Sequence, residues 1–165
     1  MVMKQKTIRS KPADKSPMDA ALSYLTTRMR TVREVEEKLD DLQYGEGDIL
    51  TTVERLKELN LLNDEAYARE FIRSRLATKP VSRQKLYMDL RAHKVPEEYI
   101  QSALNDLPKE TEADNAREVA LKFWRQMGTL EEDVRRERVL RRLMSRGFST
   151  EASLAAIREA EQEEL

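Results

Sequence analysis

The chain has 165 residues, 37% of them charged, 39% apolar and 5% aromatic, with a net charge of -1. It contains no cysteine and a single histidine, His93, which excludes disulfides and thiolate chemistry and leaves hydrolytic or redox catalysis few groups to work with. So lean an apolar fraction suits a thin, extended array of helices better than one deep core, and a near-neutral total confines any contact with an anionic partner to local patches. The longest unbroken apolar run is Leu154–Ile157, too short for a membrane span, and residues 1–17 lack the apolar core of a signal peptide. A cytoplasmic protein is expected.

Residues 1–16 carry Lys4, Lys6, Arg9, Lys11 and Lys15 against Asp14, with no apolar periodicity. They predict a disordered basic tail. From Pro17 the spacing becomes helical: Met18, Leu22, Leu25 and Met29 recur at steps of 4, 3 and 4. Thr31 with Glu34 reads as a capping box that opens a second helix, with Val35, Leu39 and Leu42 inward and Tyr44-Gly45 at its end. Ile49, Val53, Leu56 and Leu59 mark a third.

A fourth helix is predicted over 64–77, opened by Asn63 or Asp64, whose short side chains accept first-turn amides. Tyr67, Phe71 and Ser74 fall on one line, with Ala68 and Ile72 beside them. Pro80 stops it, because proline lacks an amide hydrogen and restricts the residue before it. A fifth helix follows from Ser82 to His93, with Leu86 and Leu90 inward. Pro96 sits in the first turn of a sixth, where proline fits, and Ile100, Leu104 and Leu107 form its core face before Pro108. The seventh, over 112–127, carries Ala116, Val119, Ala120, Met127 and the pair Phe123-Trp124, which reads as a core plug. Thr129 and Glu132 predict a second capping box, opening an eighth helix that runs to Arg146 with Gly147 as its C-terminal residue. The ninth starts after Ser149 or Thr150 and ends near Gln162. No segment alternates with period two, so no sheet is expected.

The nine helices read as three copies of a three-helix unit. Val35, Leu39, Tyr44, Ile49, Val53 and Leu56 of the first align with Leu86, Leu90, Val95, Ile100, Leu104 and Leu107 of the second. They align in turn with Val139, Leu143, Phe148, Ser153, Ile157 and Ala160 of the third, at spacings of 51 and then 53 residues. Repetition at that period indicates stacked helical modules that bury their apolar faces against neighbours. Ser153 breaks the template where an Ile is expected. The predicted fold is all-α: three tandem three-helix repeats in an elongated, curved array, at 17–60, 61–107 and 108–165.

One stretch, residues 61–90, resembles the central signature of the RecX family, bacterial modulators of the RecA recombinase. The matching residues are Asp64, Tyr67-Ala68, Phe71-Ile72-Arg73-Ser74-Arg75, Lys79-Pro80, Arg83 and Leu90. With the three repeats, the similarity covers about residues 18–160. It departs at Lys79-Pro80, where the family often has Gly-Pro, and in the more divergent third repeat. The resemblance implies a non-enzymatic regulator that binds the RecA nucleoprotein filament along its helical groove. Occupying that groove would obstruct filament extension, duplex entry and repressor docking, lowering strand exchange, ATP turnover and coprotease activity and damping the SOS response. It implies no cofactor and no metal, and a monomer is expected.

The candidate contacts are basic. One group is Arg69, Arg73, Arg75, Lys79, Arg83, Lys85, Arg91 and Lys94, all in the second repeat. Arg73 and Arg75 are about 200° apart on a helix, so one of them should turn inward to a neighbouring acid. The other group is a stripe, Arg135, Arg138, Arg142 and Arg146, at one-turn spacing. Charge pairs change along the repeats: Glu34 with Lys38, then Lys85 with Asp89, then the like pair Arg138 with Arg142. Glu159 or Glu161 of the last helix could answer the stripe internally, and a solvated face is the ordinary role of a charge run. Tyr67, Phe71, Leu86 and Leu90 are read as structural. His93 is read as a helix-end cap rather than a catalyst. Two other readings stay open: a helical-repeat DNA-binding protein acting without RecA, through single- or double-stranded DNA contacts, and a scaffold for acidic proteins.

Overall fold

The computed structural model describes residues 15–163; the tail expected over 1–16 lies outside them apart from Lys15 and Ser16. Among the described residues there are nine helices and no strand. They are α1 (Pro17–Leu25), α2 (Val32–Asp41), α3 (Glu46–Glu58), α4 (Asp64–Thr78), α5 (Arg83–Ala92), α6 (Glu97–Asn105), α7 (Thr111–Gln126), α8 (Glu132–Ser145) and α9 (Thr150–Gln162). The chain is all-α, built of tandem three-helix repeats.

Short polar side chains set most helix starts. Ser16 accepts the amide of Asp19 at 3.1 Å, with Pro17 in the first turn of α1. The Thr31 capping box forms as predicted: Thr31 Oγ1 accepts the Glu34 amide at 3.2 Å and Glu34 accepts the Thr31 amide at 3.1 Å. Asn63, rather than Asp64, caps α4 by accepting the Ala66 amide at 2.9 Å. Ser149 does the same for Ala152 at 3.1 Å. The second predicted capping box is absent. Leu130 closes a turn onto the Met127 carbonyl at 3.0 Å, which takes Thr129 out of line, and α8 begins at Glu132 behind Glu131.

Two compact units are present, one of residues up to 67 together with 93–96, the other of 68–92 with 97–165. In the first, Val35, Leu39, Val53 and Leu56 are buried with Ala21, Tyr44 and Leu62. In the second, α7, α8 and α9 close over Val119, Ala120, Trp124, Val139, Leu143 and Ile157, while Leu86, Leu90 and Ile100 are buried where α5 meets α6. Each such aliphatic side chain contributes about 2 kcal/mol by leaving water. Ser153 is wholly buried at its Ile-like position, and its hydroxyl makes no hydrogen bond.

The repeat is visible in the backbone. Gln43, Lys94 and Gly147 follow α2, α5 and α8 with φ of 64°, 61° and 88°, the left-handed turn that ends a helix. One step back along the same register, Thr31 Oγ1 donates to the His93 carbonyl at 2.8 Å. At the equivalent place the Ser82 amide donates to the Arg146 carbonyl at 3.0 Å. The start of one repeat's middle helix is therefore bonded to the end of the next repeat's middle helix, twice. The third counterpart of Thr31 and Ser82 is Arg135, and α8 runs one turn further back than α2 or α5 to include it.

Candidate functional site

Tyr67, Leu86 and Leu90 are buried and Phe71 is half-buried. The inward line of α4 is Tyr67, Ala68 and Ile72, whereas Ser74 is exposed. The buried arc is centred on Ala68 and Ile72 with Tyr67 at its edge, and Ser74, about 20° beyond Tyr67 on the far side, falls outside it. The Tyr67 ring lies 5.9 Å from that of His93, and burial, with Glu34 nearby, pushes its hydroxyl above the ordinary tyrosine range. His93 Nδ1 meets Glu34 at 2.9 Å, so the histidine joins a helix-end network. Asp64 turns away from its own helix and accepts the Val32 amide at 2.9 Å. Burial pushes its carboxyl up, against the pull of that bond and of Lys57.

The basic residues of the second repeat divide by partner. Arg69 reaches Asp106 at 3.0 Å and Arg73 reaches Glu70 at 2.7 Å. Arg75 is the inward member of its pair: it meets Asp89 of α5 at 3.5 Å and lies 5.3 Å from the Phe71 ring. Lys94 pairs with Glu37. Arg83 is no free contact residue. It donates to the carbonyls of Leu104, Leu107 and Pro108 at 2.7, 2.9 and 2.8 Å, satisfying an open C-terminal carbonyl of α6 and two of the turn that follows it. Arg91 lies 5.8 Å from the Tyr87 ring, and Lys79 is exposed.

The predicted arginine stripe loses its first member. Arg135 is 8% exposed, donates to the Trp124 carbonyl at 2.8 Å and stacks 4.0 Å from the indole. It lies one turn before Val139 and therefore on the core side of α8. Two of the other three converge. Arg142 and Arg146 lie 5.4 and 5.3 Å from the centroid of one ring, Phe123, and Arg146 donates to the Pro80 carbonyl at 3.0 Å. Arg138 and Arg142 are exposed. Neither internal acid answers them: Glu161 takes Arg136 at 2.7 Å and Glu159 takes Arg117 at 3.7 Å. Burial first, and then the like charge of Arg142, push the Arg146 guanidinium below its ordinary value, with Glu118 pulling it back. Phe123, read from sequence as core, is half-buried against the core of α7, α8 and α9 and also serves as the platform of this group. Only the packing of α7 on α8 could reveal that.

Among the described residues no His, Cys, Asp or Glu cluster is arranged to hold a metal, and no helix is long and apolar enough to cross a membrane. Fold and site together define a tandem three-helix-repeat protein whose candidate interface is basic side chains on helix faces. Three family models match in order along the chain: the RecX first three-helix domain at 18–56, the second at 63–104 and the third at 110–157. The regulatory protein RecX of Prosthecochloris aestuarii is 31% identical over 134 residues, 81% of this chain and 86% of that protein. That of Streptomyces coelicolor is 30% identical over 87% of this chain and 76% of its own length. The crystal structure of RecX from Lactobacillus salivarius superposes with a TM-score of 0.74 at 24% identity, over 88% of this chain and 95% of that one. The chain belongs to the RecX family of regulatory proteins.

Proposed function

We propose that this chain regulates RecA, binding the RecA nucleoprotein filament along its groove and slowing filament extension, strand exchange, ATP turnover and coprotease action. The observation that carries the reading is the ordered match to all three RecX domains across 18–157. The protein acts as a binding module, not an enzyme, as a cytoplasmic monomer whose repeats at 17–60, 61–107 and 108–165 engage successive parts of the filament. Its contacts come from the exposed cations whose charge the fold leaves available: Lys79, Arg91, Arg138 and Arg142. Arg69 and Arg73 join them, since exposed ion pairs are held by at most about 1 kcal/mol and can be exchanged for others.

The test is RecA ATPase on single-stranded DNA, using the cognate RecA, titrated with this protein at substoichiometric ratios. Turnover should fall with the wild-type chain and fall less with an Arg138→Ala/Arg142→Ala variant. Unchanged turnover at stoichiometric excess would sink the reading. The unneutralised arginines of α8 favour a second reading, direct DNA binding without RecA, which would show as salt-dependent binding to naked DNA that RecA does not alter.

A further inference from the structure

The same register position is treated differently in the three repeats. In the first, Glu34 is held by Thr31 and His93. In the second, Lys85 and Asp89 pair with each other at 2.9 Å. In the third, the equivalents are Arg138 and Arg142, two cations one turn apart that no carboxylate of the described residues meets. Other arginines of α7 and α8 are neutralised at home: Arg117 and Arg125 by Glu163, Arg136 by Glu132 and Glu161, Arg141 by Glu137. Placing like charges at this spacing weakens a helix slightly. The fold keeps them and adds Arg146 on the next turn. It also fixes two of the three guanidinium groups against one ring, which reduces the rotamer freedom that binding must remove.

We propose that Arg138, with Arg142 and Arg146 set on Phe123, forms a phosphate site for the backbone of a nucleic acid. A carboxylate has two coplanar oxygens and fills one guanidinium fork. The non-bridging oxygens of a phosphodiester point apart and can engage forks on successive turns. The site reads no sequence, because only the backbone is touched. This deepens the RecA reading by assigning the DNA part of the filament to the third repeat.

The test uses the full chain and a fluorescein-labelled oligothymidylate, without RecA, by anisotropy between about 50 and 200 mM salt. Wild-type affinity should fall steeply with salt. Arg138→Gln/Arg142→Gln should bind roughly tenfold more weakly, with a salt slope smaller by about one to two. Neither side chain is hydrogen-bonded within the described fold, so the variant should fold, and circular dichroism checks it. Arg141→Gln, the control, should bind as wild type does. Absence of wild-type binding, an unaltered double variant, or an equal loss in the control would overturn the site. So would displacement of the oligonucleotide by poly-glutamate at equal charge, which would mark an acidic protein surface as the ligand. Absence of wild-type oligonucleotide binding with RecA ATPase inhibition intact overturns the phosphate site alone; oligonucleotide binding with no ATPase inhibition overturns the RecA reading alone.

Discussion

Gly147 shows how little room the repeat leaves at a joint. Its φ of 88° suits glycine, and a Cβ there would stand 2.4 Å from Ser82 Oγ and 2.8 Å from Lys85 Cβ. Gly147→Ala therefore combines backbone strain with a clash, and we expect a loss of at least about 2 kcal/mol in urea denaturation. The equivalent turns at Gln43 and Lys94 tolerate side chains in the same conformation at a cost of about 1 kcal/mol. A glycine ending α8 was legible in the sequence. The residues pressing on it were not, because Ser82 is 65 positions away. Asp64 gives a pH signature. Its carboxyl is raised in the fold from 3.8, so the folded state binds the proton more tightly than the unfolded chain does. The cost of burying its charge is present above the folded value, shrinks as pH falls through it, and is gone below the ordinary carboxylate value. Asp64→Asn keeps an oxygen for the Val32 amide. It should be at least as stable as wild type at neutral pH, and the difference should close when unfolding is repeated near pH ~4.

At the scale of elements, helix ends carry the architecture. Thr31 serves two helices at once, accepting the Glu34 amide inside α2 and donating to the His93 carbonyl after α5. Thr31→Val keeps the volume and removes both bonds, so it should cost about 2 kcal/mol by chemical denaturation. Thr31→Ser should recover most of that. Thr31 announced itself, since a Thr with Glu three residues on is a local pattern. Thr129 with Glu132 offered the same pattern and failed, because the Met127–Leu130 turn competes for those residues and a capping box has no means of registering it. Arg135 departs from its sequence pattern for a related reason. An arginine on a periodic stripe looks solvated until something buried needs its donors, and the Trp124 carbonyl is such a group.

Across the whole molecule, what the sequence displayed best was repetition. At four of the six aligned positions, such as Val35, Leu86 and Val139, apolar residues at spacings of 51 and 53 are buried in every repeat, because each must fill an equivalent space. The distribution of charge was harder to see: Arg75, Arg83 and Arg135 differ from Arg138 and Arg142 only in which carbonyls and carboxylates folding brings near. The variant ATPase series tests the molecule at this scale, because it asks whether the cations left over after internal pairing are those that act on RecA.

The joint between Thr31 and His93 also bears on how the protein is made. The first compact unit is discontinuous, since it includes 93–96 from beyond two further helices. A ribosome delivers the N-terminal helices early, and domains tend to fold as they emerge. Here the first three helices emerge with the Thr31 hydroxyl and the Glu34 carboxylate still lacking their bonds to His93, which form only once the turn after α5 has cleared the exit. A nascent chain halted before residue 93 would lack both bonds and the 93–96 segment that completes the first unit, and would meet chaperones and proteases in that state.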